Sequence, residues 1–192
     1  MNTLSDAGKN FENSLREFLG ALEGTWPECQ AVREASLGVE ALFDACFTDA
    51  AAEAKRLEII GKFVEVAKPH YAMILARDPN VFRKDLGVIN DVKMSEKYAD
   101  PSIDDGTREA IWHYVWELCR HAQAADVIQT LPDGVTRAVL GNGGGEVDVM
   151  QIVEAIQGLS PAETERFQSG FNPQNLCFLL PAGVMQAIGA DP

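Results

Sequence analysis

Apolar side chains recur every three to four residues along most of this chain. Phe11, Leu15, Phe18, Leu19 and Leu22 form one such set and predict a first helix over about 6–23, with Ser5 or Asp6 placed to cap its first turn. Gly24 stops that helix, and Thr25-Trp26-Pro27-Glu28 predicts a restart. Pro27 fits the first helical position, where its missing N–H costs nothing. The second helix is expected to end near Gly38. A third and longest one follows over about 39–68. Val39, Leu42, Phe43, Cys46, Phe47 and Ala50 begin its stripe, and Leu57, Ile60, Phe63, Val64 and Ala67 continue it. Pro69 breaks or kinks it.

His70 to Ala76 predicts two more turns, ended by Asp78-Pro79-Asn80. Leu86-Gly87-Val88-Ile89 reads as a short extended piece with no partner strand. Ser102-x-x-Asp105 resembles a capping box with Asp in place of Glu, opening the clearest helix, about 103–129. At 100° per residue, Ile111, Trp112, Tyr114, Val115, Trp116, Leu118, Cys119 and Ala122 cover an apolar arc of roughly 200°. So wide an arc predicts packing on several sides, and hence the central helix of a bundle. Trp112 and Trp116 are both expected to be buried. Arg120, His113, Glu117 and His121 share the narrow polar remainder.

Leu131-Pro132-Asp133-Gly134 reads as a turn before a short helix to Leu140. Gly141-Asn142-Gly143-Gly144-Gly145 reads as a hinge, because glycine lacks the Cβ that restricts the backbone. Three short helical pieces are expected beyond it: about 146–157, 161–168 after a Ser160 cap, and 173–180. This organisation gives a helical bundle over 1–140, a hinge over 141–145 and a C-terminal helical segment over 146–192. That segment is apolar enough to need a surface. Docking on its own bundle is expected, with a partner or a second copy as the alternative.

Charge narrows the function. The chain carries 29 acidic and 16 basic side chains, a net charge of −13. Nucleic-acid affinity comes largely from Lys and Arg displacing counterions at phosphates, and the basic residues here form no cluster beyond pairs such as Lys55-Arg56. No nucleic-acid partner is expected, and the same charge disfavours anionic membrane surfaces. The longest apolar run, near 177–185, falls far short of the ~20 residues that span a bilayer. Cys29, Cys46, Cys119 and Cys177 lie far apart with no C-x-x-C pair, which suits structural thiols in a reducing compartment. An intracellular rather than secreted protein is expected.

Each chemical constellation has a plainer explanation. His113, Glu117 and His121 stand at i, i+4 and i+8, and His113 with Glu117 are the candidate metal ligands. The third position lies about 12 Å along the helix axis, so three ligands do not converge on one ion. A solvated helix face accounts for them as well. Asp100 to Gly106 looks like a calcium loop, but the glycine and the bidentate glutamate that such a loop requires fall on Asp105 and Ile111. A helix N-terminus flanked by acids explains it better. No nucleophile elbow or phosphate loop is present. No catalytic residue and no cofactor are assigned. Trp26, Trp112, Tyr114 and Trp116 are the candidate interaction or core aromatics.

Four stretches carry a family resemblance: Phe11-x3-Leu15-x2-Phe18-Leu19 with Thr25-Trp26-Pro27-Glu28; Pro69-x-Tyr71-x2-Ile74-Leu75; Asp78-x3-Phe82; and Thr107-Arg108-Glu109-x-Ile111-Trp112-His113-Tyr114-Val115-x2-Leu118. Over about residues 10–125 the chain resembles a group of uncharacterised proteins encoded by large DNA viruses of algae and protists. In that group the fourth stretch is a Thr-Lys/Arg-x2-Ile-Trp-Lys-Tyr-Leu helix, from which this chain departs at His113 and Val115. The resemblance implies a viral or algal origin and expression in a host cell, in its cytoplasm or in the virion. It brings no active site, because none is established for the group.

Pattern, charge and resemblance together predict an all-α bundle with a long central helix. The expected function is a non-enzymatic, virion-associated or host-interacting protein that binds a protein partner, or itself. The alternative is an enzyme or metal protein with a carboxylate and histidine site between helices.

Overall fold

The computed structural model describes residues 4–44, 49–84, 92–140, 149–170 and 177–179. Every regular element among them is helical, so the expected all-α class holds. In chain order these are α1 (Leu4–Thr25), α2 (Gln30–Asp44), α3 (Asp49–Ala67), α4 (Tyr71–Leu75), α5 (Met94–Tyr98), α6 (Asp105–Thr130), α7 (Asp133–Leu140), α8 (Val149–Gln157) and α9 (Pro161–Gly170). Short 3-10 turns at Lys68–His70 and Pro79–Arg83 lead into and out of α4. No helix among the described residues is long and apolar enough to cross a membrane.

At 26 residues, α6 is about 39 Å long and forms the spine of the bundle. α1 packs along it most extensively and also meets α2 and α3. Phe11, Leu15, Phe18, Leu19 and Leu22 of α1 are all essentially buried, so the first helix is as central as the sixth. Aromatic pairs join the layers: Phe11 meets Phe63 of α3 at 5.4 Å between ring centroids, and Phe18 stacks on Tyr114 of α6 at 5.5 Å. Glu12 adds a polar stitch. Its carboxylate accepts from Arg56 Nε of α3 at 2.6 Å and from Arg16 Nε at 3.0 Å.

Several expected boundaries move. Gly38 lies inside α2, which continues to Asp44, and the long third helix expected from residue 39 begins instead at Asp49. A glycine within a helix costs only ~1 kcal/mol, which the burial of Val32, Val39 and Phe43 outweighs. Pro27 sits in a turn before α2 rather than in its first turn. The Cys29 amide donates to Trp26 O at 2.9 Å, leaving Pro27 second in that turn, where its fixed φ suits. The N-cap of α6 is Asp104, not Ser102. Asp104 Oδ1 accepts from the Thr107 amide at 2.6 Å, while the Ser102 amide donates to Asp100. At α9 the expected Ser160 cap is a full capping box with Glu163: the Glu163 amide donates to Ser160 Oγ and the Ser160 amide to Glu163 Oε2.

A second core lies at the far end of α6. Val127 and Leu131 pack there with Val135 and Val139 of α7, Ile152 of α8 and Phe167 of α9. The α8–α9 segment therefore docks on its own chain, through a cluster that α7 shares. The glycine run 141–145, Cys46 and the expected extended piece at 86–89 lie outside the described residues. So does most of the helix expected over 173–180, of which residues 177–179 form a turn.

Candidate groove between α4 and α6

The end of α4 is built by backbone chemistry. The Arg77 amide donates to Ile74 O at 3.0 Å and the Asp78 amide to Met73 O at 2.8 Å, which is the Schellman closure of a helix C-terminus. That closure needs a left-handed residue, and Arg77 takes it at φ 52°. Glycine occupies this position freely, whereas a residue with a Cβ pays about 1 kcal/mol. Asp78 then caps the next turn by accepting from the Asn80 amide at 2.9 Å.

Opposite this turn runs the first half of α6. A groove of about 560 Å³ lies between them, with Ile74, Leu75, Ala110, Trp112 and Trp116 on its walls and Arg77, Glu109 and His113 as its polar members. That volume falls in the range of small-ligand sites. Trp112 is 4% exposed and fixed: its Nε1 donates to the Tyr98 hydroxyl at 2.9 Å, and Phe82 packs on it at 4.9 Å. Trp116, one turn on, is 38% exposed, which corrects the expectation that it is buried. The apolar arc of α6 is wider than the surface its neighbours cover, and Trp116 falls at the uncovered edge. Its ring is held by Phe178 at 6.5 Å and by the Arg120 guanidinium at 5.6 Å. Tyr114 is half-buried against Phe18, and Trp26 is buried beneath the Lys97 ammonium at 4.8 Å.

Across the groove, Arg77 Nη1 donates to Glu109 Oε2 at 2.7 Å. Both side chains are more than half exposed, so the pair contributes well under about 1 kcal/mol. The returned energy at best matches the backbone strain at Arg77.

His113 is exposed on the groove, while Glu117 accepts from Arg120 Nη2 at 2.6 Å and from His121 Nε2 at 3.1 Å. Among the described residues no three His, Cys, Asp or Glu side chains gather as metal ligands. His121, expected on a solvated face, is only 6% exposed, because residues 121–125 of α6 are buried on all sides. Burial, with the Arg120 charge beside it, pushes its pKa down to about 4, against the pull of Glu117. A neutral ring with its proton on Nε2 fits this geometry. Its Nδ1 finds no hydrogen-bond partner among the described residues.

Asp100 and Asp104 accept from the Ser102 and Thr107 amides and belong to no group of three or more metal ligands among the described residues. Hydrogen bonds from Ser102 hold the Asp100 carboxyl below its usual range, and those from Thr107 do the same for Asp104. Arg108 Nη2 donates to Asp100 O at 3.0 Å, tying this loop to the start of α6. Among the cysteines, burial raises the Cys119 thiol well above its ordinary value and also raises Cys177, which makes both poor nucleophiles. Neither Arg77 nor the groove is marked by any sequence pattern, because α4 and α6 meet only through tertiary packing.

No family model matches the chain, and no curated protein or solved structure matches it either.

Proposed function

We propose that this is a non-enzymatic interaction protein that holds a protein partner in the groove between α4 and α6. The observation that carries this reading is Trp116, a large aromatic side chain 38% exposed beside the buried Trp112 in a concave surface. Partly exposed tryptophans in pockets are typical anchors of protein interfaces. The alternative, a carboxylate and histidine site between helices, draws less support. His113 and Glu109 line the groove, but Glu109 is engaged by Arg77 and, among the described residues, no second carboxylate lines it with them. The resemblance to proteins of large DNA viruses supports a role in the virion or in contact with host proteins.

A photo-crosslinking amino acid at position 113, compared with one at Lys62 on α3, tests the groove. The expected result in producing cells is a defined crosslinked partner from position 113, absent from position 62 and lost when Trp116→Ala is added. Equal crosslinking from both positions, or indifference to Trp116→Ala, overturns the reading.

A further inference from the structure

We infer that the groove receives a peptide segment in which a carboxylate side chain lies beside an aromatic or leucine-like one, the carboxylate on Arg77 and the apolar side chain on Trp116. This rests on the reading of the groove as a contact surface and names its occupant. Arg77 holds a backbone conformation that glycine takes without cost, and its exposed pair with Glu109 does not return a surplus.

What the arginine supplies is a guanidinium on the groove. Its planar fork carries five N–H groups, and the Glu109 bond uses Nη1. Glu109 thus orients the fork through Nη1, and a carboxylate matches the Nε and Nη2 edge, which bonds to nothing among the described residues, with two parallel bonds. The net charge of −13 opposes any anion, a doubly charged phosphate more strongly than a single carboxylate. Beyond about 8 Å that net charge is largely screened at physiological salt, so contact-range chemistry at Arg77 prevails. Beside it, Ile74, Leu75 and the exposed face of Trp116 offer the apolar surface.

The test pans a displayed library of random heptapeptides on the full chain at 150 mM salt, with affinities of labelled winners read by fluorescence polarisation. Winners are expected to carry Asp or Glu within two residues of Phe, Tyr, Trp or Leu. Arg77→Gly, Trp116→Ala and Asp→Asn in the peptide should each weaken binding about tenfold or more, the effect of losing a charge-assisted bond or an anchor. Arg77→Lys keeps the charge without the fork and should recover only part of the loss. Winners that depend on Trp116 but bind Arg77→Gly unchanged, or that lack an acid, overturn the carboxylate and leave the groove standing. No winners, or winners indifferent to Trp116→Ala, overturn both.

Discussion

The Phe178 amide donates to the side-chain oxygen of Gln123 at 3.0 Å inside the protein, while Gln123 Nε2 reaches Cys177 Sγ at 3.2 Å. Gln123 is 1% exposed, and the Phe178 ring packs edge-on against Tyr71 at 5.0 Å. One buried amide on α6 thus pins the 177–179 turn to the bundle. Gln123→Ala leaves the buried Phe178 N–H without its acceptor, which should cost about 1–3 kcal/mol in denaturant melts. Hydrogen exchange at the Phe178 amide should accelerate at the same time. Unchanged exchange there would mean that the turn is held by its side chains alone.

The two tryptophans of α6 should respond differently. Trp112 is enclosed by Phe82 and Tyr98, so Trp112→Ala should cost about 3–5 kcal/mol. Trp116 already faces water over much of its surface, and Trp116→Ala should cost less than about 2 kcal/mol. Denaturant midpoints of the two variants check this, and equal losses would place Trp116 in the core after all.

Much of this fold follows from periodicity. The buried side chains of α1 are the ones its 3.6-residue pattern selects, and the long α6 and the Ser160 cap also appear where the pattern puts them. Periodicity says which face is apolar, not which neighbour covers it, and this is where Trp116 and His121 depart from expectation. Trp116 lies on the apolar arc but at its uncovered edge. His121 lies on the polar side of the arc, yet that end of α6 is enclosed. The Arg77 conformation is equally silent in sequence, since a Schellman closure usually announces itself with glycine.

Glu12 should be a stability determinant. Its side chain and that of Arg56 are 12% and 15% exposed, and Arg16 shares the same carboxylate. Glu12→Ala leaves the Arg56 guanidinium largely buried without its counter-charge, which should cost about 3 kcal/mol. Glu12→Gln keeps the shape and removes the charge, so it should fall between wild type and Glu12→Ala in thermal melts. A loss below about 1 kcal/mol for Glu12→Ala would mean that Arg56 finds solvent instead.

His121 gives the protein a pH dependence with a definite sign. Its folded pKa is lowered to about 4 from the ordinary 6.5. Between those values the unfolded chain binds the proton and the folded chain does not. The contribution to stability is therefore fully present above about 6.5 and is lost as pH falls towards 4, at up to ~1.4 kcal/mol per pH unit. The total reaches at most about 3.5 kcal/mol. Since carboxylates titrate in the same window, the informative quantity is wild type minus His121→Leu, followed by urea denaturation from pH 7 to pH 4. That difference should shrink as the solution is acidified. A constant difference would show that His121 is protonated alike in both states.

Arg77 allows strain to be separated from charge. Arg77→Gly relieves the left-handed backbone and loses the exposed pair with Glu109. Arg77→Ala loses the same pair and keeps the strain, because its Cβ remains. The two variants therefore differ in the cost of the left-handed conformation and not in charge. Glycine gives back part of its gain through the greater freedom of the unfolded chain. The net expectation is that Arg77→Gly is more stable than Arg77→Ala by about 1 kcal/mol, and at least as stable as wild type. Guanidinium melts of the three proteins at one pH and salt concentration measure this directly. If alanine and glycine are equally stable, the end of α4 relaxes out of the left-handed conformation, and arginine at 77 carries no cost that a function must explain.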